Sequence, residues 1–415
     1  MTSPPTLDVP ASSTTAATAA EALPRLLDDW LAAHESELVG VRRHIHAHPD
    51  LSGQEGPTAR YLAAILESAG LAPRLLPVGN GVLCDVGDGP GPTIALRGDI
   101  DALPITDVKD VPYRSTADGV CHACGHDVHA TVVAGTGLVL AELAASGLLP
   151  GRVRLLLQPC EERFPSGAPE VVAAGGLDGA KAIFAFHCDP KLPAGMIGIR
   201  SGPLTAAADM LEVRLTGPGG HTARPQLTAD LVHALGKVVV DVPALLSRRA
   251  DPRSGVSVVF GAVHAGQAAN AIPREGVARA TVRVLDHHAW RDLPGLIESL
   301  VHDAVAGTGA QAEVRYTRGV PPVVNDRSAA TVFARGAATA LGTERVVETP
   351  VSMGGEDFAW YLEHVPGAMA RLGVGRPGES LDLHQATFDV DEDAIAHGVR
   401  ALAHTALAAL ADPTI

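Results

Sequence analysis

The sequence predicts an α/β protein: a mixed, mainly parallel sheet with helices on both faces, interrupted by a ferredoxin-like α+β module. Three observations lead there. Short apolar runs alternate with helical patterns over the first half of the chain, as strands buried on both faces of a parallel sheet require. Near residue 205 the pattern changes, and "ADMLEVRLTG" alternates apolar and polar residues, the mark of a strand with one wet face. The elements that follow run in the order β-α-β-β-α-β, that of a ferredoxin-like module.

Taken in order, residues 1–22 ("MTSPPTLDVPASSTTAATAAEA") are rich in Ser, Thr, Ala and Pro, without a basic start or an apolar core. They read as a disordered leader and not as a secretory signal. An amphipathic helix is expected over Leu26–His46, ended by the Pro and Gly of "HAHPDLSGQE", and a second over Pro57–Ala69. Buried strands are expected at "GVLCDVGD", "TIALRGDID", "VRLLLQPCEE" and "KAIFAFHCDP". Between two of them "VHATVVAGTGLVLAELAASG" is a buried helix ending at Gly147. The module has strands at "ADMLEVRLTG", "GVSVVFGAVHAG", "EGVARATVRVLD" and "AEVRYTRG", with helices over Thr228–Arg248 and His288–Gly307. "GVPPVVND" is a hinge back to the first domain, which "AMARLGVG" and the helix in "DEDAIAHGVRALAHTALAAL" complete. The expected boundaries are a leader at 1–22, a first domain at 23–204 and 320–415, and the module at 205–319.

Composition narrows the function. A chain of 415 residues exceeds one small core and suggests two domains. Aromatics are only 3%, so Ala, Val and Leu must do most of the packing. The net charge of −15 has the wrong sign for a nucleic-acid or anionic-membrane binder, so neither partner is expected. No apolar run approaches the roughly 20 residues of a membrane helix. Five scattered cysteines argue against a disulfide framework, and a reducing cytoplasm is the expected compartment.

The chemistry collects where the buried runs end. "TIALRGDID" ends in Asp99 and Asp101, "VRLLLQPCEE" in Glu161 and Glu162, and "KAIFAFHCDP" brings His187. Ligands of open α/β sheets bind beyond the carboxyl ends of the strands. "CHACGHDVHA" at 121–130 opens the buried helix and sets Cys124 and His126 at its N-terminus, where the helix dipole favours a thiolate. Thiolate, imidazole and carboxylate together are ligand types of zinc, manganese, cobalt or nickel. Their origin in separate segments suggests a two-metal site. Of the adjacent Glu161 and Glu162, one can bind metal while the other moves the proton of the attacking water. Cys121-x-x-Cys124 lacks the second CxxC of a zinc knuckle and a clear redox setting. "RGD" at 97–99 closes a buried strand and is not an adhesion signal. His44, His46 and His48 of "HIHAHP" read as a helix end with a structural or substrate-side role, not a second metal cluster.

"HPDLSGQE", "LRGDIDALPI", "CHACGHDVHA", "QPCEE", "GPGGHTARP", "MGGEDFAWY" and "DLHQATFDVDEDAI" occur in this order over nearly the whole chain. Together they resemble the amidohydrolase branch of the aminoacylase/carboxypeptidase family of dinuclear metallohydrolases. That branch includes hippurate hydrolases, N-acyl-amino-acid deacylases and indole-acetyl-amino-acid hydrolases. The resemblance implies a metal-binding catalytic domain interrupted by a lid or dimerisation domain. It implies Cys124, His126, Glu162, His187 and His384 as metal ligands, with Cys124 bridging two ions, and Glu161 as general base and acid. Asp99 and Asp101 stand where related branches carry a His-x-Asp metal motif. They are expected to orient ligands from behind, with His126 taking the missing histidine's place and Cys121, His122 and His129 lying beside the site.

In the module, the resemblance makes His221 of "GGHTARP" an oxyanion donor, often supplied by a partner subunit; a Gly-rich turn with a wet histidine is the plainer alternative. Asn270 and Arg283, thirteen residues apart, would hold the substrate carboxylate, and Glu356 would support the site. Cys160 departs from the branch's usual alanine, and Cys188 stands where bulkier residues are often seen. The resulting expectation is a metal-dependent amidohydrolase with two divalent ions (Zn, Mn, Co or Ni), a homodimer or higher homo-oligomer. It would cleave N-acyl amino acids to a carboxylic acid and a free amino acid through a metal-activated water. The rivals are a dipeptidase or carboxypeptidase of the same family, and a non-catalytic metal or amino-acid binding protein. The spare glutamate argues against the last.

Overall fold

The computed structural model describes residues 14–415, with side chains from residue 23 onward. Residues 1–13 of the expected leader lie outside the described residues. Two compact units are present. One runs to Ser201 and takes in Asn325–Thr349 and Tyr361–Ile415; the other is Gly202–Val324 with Pro350–Trp360.

The larger unit begins with α1 (Thr14–Ala47), α2 (Gly56–Ser68), β1 (Arg74–Leu75), β2 (Val82–Val86) and β3 (Thr93–Asp99). It continues with α3 (His126–Ala145), β4 (Arg152–Gln158), α4 (Ala168–Ala173), β5 (Ala180–Pro193) and β6 (Ile197–Ile199). Residues 14–22, expected to be disordered, are helical. Their sequence "TTAATAAEA" is dominated by alanine, the strongest helix former, and simply extends the amphipathic turn that follows.

The smaller unit holds β7 (Gly202–Thr205), β8 (Ala207–Thr216), β9 (Gly220–His221), α5 (Leu231–Arg249) and β10 (Ser257–Ala265). After these come β11 (Ala271–Ile272), β12 (Glu275–Val284), α6 (His287–Val305) and β13 (Gln311–Val320). The chain returns through β14 (Val323–Asn325), α7 (Arg327–Leu341), β15 (Val346–Glu348), α8 (Ala359–Leu362), β16 (Gly367–Gly375) and α9 (Asp393–Leu410).

The large sheet has the order β1-β2-β4-β3-β5-β16-β6-β15. Its centre is parallel: β3 with β4, β3 with β5, and β5 with β16. Every residue of β3 is buried, so both faces of the sheet are covered there. Aliphatic side chains and alanines fill the core, among them Leu38, Ile45, Val132, Leu140, Val399, Leu402 and Ala406. One expectation is corrected here. Helix α3 is long and apolar enough to cross a membrane, but 72% of its apolar window is buried inside the protein. An element apolar on all sides is what a central core position demands.

In the smaller unit the sheet order β10-β12-β8-β13 is antiparallel throughout, the ferredoxin-like arrangement. Strand β8 buries alternate residues, and Leu211, Val213 and Leu215 join a core with Leu235 and Val238 of α5 and Ile297 and Leu300 of α6. Each such side chain withdrawn from water contributes roughly 1.5–3 kcal/mol. Asp230 and Asp286 cap α5 and α6 by accepting the backbone N–H of His233 and Ala289. The segment Pro350–Trp360, placed by sequence in the first domain, belongs to this unit: Ser352 bridges Thr205, and Trp360 meets Trp290 edge-on.

Candidate metal centre

Three parallel strands end at one edge of the larger sheet. Asp99 on β3 pairs with Gln158 on β4, so Asp101 and the Glu161–Glu162 pair leave the sheet side by side. His187 lies on β5, the other neighbour of β3. Cys124 and His126 flank Gly125, the N-cap of α3, whose φ is 88°. Only glycine adopts that backbone freely. A Cβ there would also lie 2.7 Å from Cys188 Sγ.

The five expected ligands are brought together within this unit. One donor atom each from Cys124, His126 and Glu162 lie within 4.8 Å of one another. Cys124 Sγ is 3.7 Å from His187 Nε2, and His384 Nε2 is 3.2 Å from Glu162 Oε1. The histidines are oriented from behind. His126 Nδ1 donates to Asp101, 2.9 Å to its carbonyl and 3.2 Å to Oδ1. His187 Nδ1 donates to the Cys188 carbonyl at 2.8 Å. In each ring Nε2 is left facing the cluster, and His126 Nε2 has no hydrogen-bond partner among the described residues.

The pKa directions within the cluster follow from burial and from its carboxylates. Burial opposes charge on His126, but Asp99 and Asp101 outweigh it and raise its pKa to about 10. Burial holds the His187 imidazole well below its ordinary range, helped by Arg371. Burial, then Glu162, Glu161 and Asp99, push the Cys124 thiol well above its ordinary range. With no cation bound, burial and three carboxylates oppose the thiolate that the helix end favours. A bound cation is what restores a thiolate in such surroundings. The hydrogen bond that His384 donates to Glu162, with burial opposing it, raises the His384 pKa.

Asp99, His126 and His129 also lie within 4.8 Å of one another. Both nitrogens of His129 are engaged, however. Nδ1 donates to Asp99 Oδ1 at 2.6 Å, and Nε2 accepts the Cys188 N–H at 2.8 Å. Arg97 holds the other oxygen of Asp99 at 2.7 Å. His122 is buried, and burial lowers its pKa to about 3. Cys121 is buried on an isolated bridge to Leu103.

Residues 95–408 match the sequence profile described as peptidase family M20/M25/M40. The chain belongs to that family. A Bacillus subtilis N-acetyl-L-cysteine deacetylase is 36% identical over 366 residues, covering 88% of this chain and 86% of its own. The crystal structure of a Bacillus subtilis dinuclear metal binding peptidase from the M20 family has a TM-score of 0.81 at 34% identity, covering 91% of this chain and 99% of its own. A Rhodococcus jostii protein carrying a glutamate–cysteine ligase name is 45% identical over 369 residues, 89% of this chain but only 46% of that protein. A name given to a protein of which this chain spans under half does not transfer to it. As an M20 member the chain is a metal-dependent hydrolase of amide bonds.

The remaining expected site residues of this M20 chain lie in the smaller unit. His221 on β9 is exposed and faces Ala271 of β11. Its Nδ1 accepts the Ala223 N–H at 3.1 Å. Asn270 is brought beside it, accepting the Thr222 N–H on its carbonyl at 3.4 Å. Arg283 lies on β12 between Ser257 and Ala208; the structure gives no bond joining it to Asn270. Glu356 is buried, and its Oε1 accepts the Phe358 N–H at 2.9 Å.

Sequence reasoning missed a buried ionic network behind the M20 centre. Arg42 of α1 is fully buried and donates to Asp127 at 2.7 Å, Asp389 at 3.0 Å and Glu392 at 3.2 Å. His46, one turn later, lies 2.7 Å from Asp127, the residue after His126. Of the "HIHAHP" histidines His46 alone is buried, while His44 and His48 meet at the surface with tilted rings 4.5 Å apart. The spacing of Arg42 and His46 on the apolar stripe of α1 was the available signal. A second feature had none. The non-glycine residues with positive φ among the described residues are Cys160 at 59° and His384 at 61°, each costing about 1–3 kcal/mol. Both belong to segments that carry the centre.

Proposed function

We propose that the chain hydrolyses the amide bond of N-acyl amino acids, with Glu161 moving the proton. One observation carries this. Two adjacent carboxylates reach the same cluster, Glu162 Oε1 at 3.8 Å and Glu161 Oε2 at 3.9 Å from His126 Nε2, and ligation needs only one of them. Cys124, His126, Glu162, His187 and His384 would hold two divalent ions, and their mixed donors suit Zn, Mn, Co or Ni. Ions bound there lower the pKa of water and polarise the substrate carbonyl.

The chain's own part follows from the positions of its groups. Glu161 takes the proton of the attacking water as the new C–O bond forms, then gives a proton to the amide nitrogen as the C–N bond breaks. A carboxylic acid and an amino acid leave. Asp101 fixes the His126 tautomer from behind, and Asp99 does the same for His129. His221 donates to the oxyanion, Asn270 and Arg283 grip the substrate carboxylate, and Glu356 supports the smaller unit's part of the site. The Bacillus subtilis relative is named for N-acetyl-L-cysteine, so that compound heads the substrate panel. The smaller unit serves as lid and dimerisation domain. Exposed Val259 and Val263 on edge strand β10, with exposed Val232 and Val240 on α5, support a homodimer. Five free cysteines, all buried, fit a reducing cytoplasm.

The test is a panel of N-acetyl, benzoyl and dipeptide substrates on metal-loaded protein, with Glu161→Gln beside the wild type. Hydrolysis of N-acyl amino acids is expected, lost by about 10²–10⁴-fold in Glu161→Gln with metal retained. Near-normal turnover by a metallated Glu161→Gln would falsify the role, and a preference for dipeptides would shift the reading to a dipeptidase.

A further inference from the structure

The reaction above leaves "HPDLSGQE" without a task. Glu55, its last residue, is fully buried at the N-cap position of α2. Its side chain makes no bond to its own helix. Asp50 does so instead, accepting from Thr58 N at 3.0 Å and from Thr58 Oγ1 at 2.7 Å. The Glu55 carboxylate turns toward the end of β4. Its Oε1 accepts the Gly53 N–H at 2.7 Å and the Cys160 N–H at 2.8 Å, and its Oε2 accepts from Asn80 Nδ2 at 3.3 Å.

Cys160 directly precedes Glu161 and Glu162 and holds the left-handed backbone that non-glycine residues avoid. Its carbonyl is fixed too, accepting the Gly167 N–H at 2.8 Å. Gly53, itself at φ 84°, lets the loop turn so that its N–H meets Glu55. From the same loop, Ser52 Oγ donates at 2.6 Å to Asp101 Oδ2, the oxygen that accepts the Glu162 N–H at 3.0 Å. The loop thus grips the carboxylate turn at two points, one residue before Glu161 and at the backbone of Glu162.

We propose that Glu55 is a positioning residue, whose buried carboxylate holds Cys160 in the left-handed turn that directs Glu161 and Glu162 into the metal centre. The inference rests on the role proposed for Glu161. In Glu55→Gln, the amide oxygen still accepts both backbone N–H groups. The new Nε2 faces Asn80, whose Oδ1 is buried without a partner among the described residues and can accept from it after a side-chain flip. In Glu55→Ala both acceptors are gone. Cys160→Gly removes the need for a clamp, because glycine adopts the turn unaided.

The experiment compares Glu55→Gln, Glu55→Ala, Cys160→Gly and Glu55→Ala/Cys160→Gly, each metal-loaded, on an N-acetyl amino acid, with kcat, KM, metal content and Tm recorded. Glu55→Gln and Cys160→Gly are expected to keep kcat within about threefold of wild type, the scale of a repaired contact. Glu55→Ala is expected to lose about 10–100-fold in kcat, the scale of one hydrogen bond to a charged acceptor, with KM little changed. The double variant is expected to recover most of that loss, a coupling that a merely stabilising role does not produce. Losses that multiply without rescue, or a Glu55→Gln as poor as Glu55→Ala, overturn the proposal. If Glu55→Ala does not fold, Glu55→Asp, one methylene short of Cys160, takes its place in the cycle. Glu161→Gln separates the two readings: if it retains turnover, the base assignment fails, whereas an inactive Glu161→Gln with no coupling between positions 55 and 160 fails Glu55 alone.

Discussion

Arg42 on α1 donates to Asp127 on α3 across 2.7 Å, with both side chains wholly out of solvent. Burial alone would raise the Asp127 carboxyl, but Arg42 and His46 hold it well below the usual carboxylate range. A carboxyl with a depressed folded-state pKa stabilises the fold fully above its unfolded value, about 3.9, and loses that contribution as pH falls through the folded value. Arg42→Met strands a buried carboxylate and is expected to cost about 3–5 kcal/mol at neutral pH. The Tm gap between wild type and Arg42→Met should narrow on acidification below about pH 4. A gap that stays constant down to pH 2 would show that the pair does not carry this stability.

Gly125 separates two expected ligands at φ 88° and packs against Cys188. Gly125→Ala is expected to displace Cys124 or His126 and to lower metal content after gel filtration, with circular dichroism near wild type. Full metal occupancy in this variant would mean that the turn is less constrained than its contacts indicate.

His221 sits on an exposed two-stranded ribbon and is expected to serve a partner's centre. Mixing inactive Glu161→Gln and His221→Ala proteins should restore about a quarter of wild-type activity, because half of randomly reassorted dimers then contain one intact site of two. No recovery after verified subunit exchange would place His221 in its own subunit's site.

Val240 on α5 is 67% exposed. Val240→Glu puts a charge into the proposed dimer surface and should shift the sedimenting species to monomer, with kcat falling along with it. A monomeric wild type would remove the premise.

Much of the centre was legible because the chain writes it in strand ends. Apolar runs closing on Asp99, Asp101, Glu161, Glu162 and His187 announce one edge of one sheet. The ferredoxin-like order was legible for the same reason, since the alternation in β8 is local. What was not legible depends on partners far along the chain. Arg42 lies on the apolar stripe of α1, but Asp389 and Glu392, which meet its charge, lie far along the chain. The left-handed turns at Cys160 and His384 carry no glycine signal. The protonation of the Cys124 thiol turns first on its burial, which a sequence does not display, as well as on the helix end and the carboxylates, which it does. Pro350–Trp360 was assigned to the wrong unit because its anchors, Thr205 and Trp290, are contacts and not patterns.

The pairing of β5 with β16 has a consequence for biosynthesis. These neighbours in the sheet are separated by the entire smaller unit. A ribosome delivering the chain from its N-terminus finishes β5 long before β16 exists. Meanwhile the inserted unit has its whole four-stranded sheet, lacks only the short Pro350–Trp360 segment, and can fold first. Through that interval one side of β5 is an unpaired apolar edge, the kind of template on which other nascent chains pair. Aggregation during synthesis is therefore expected to begin at Ala182–Phe186, and a chaperone that covers this stretch should raise the soluble yield more than one acting on the released chain.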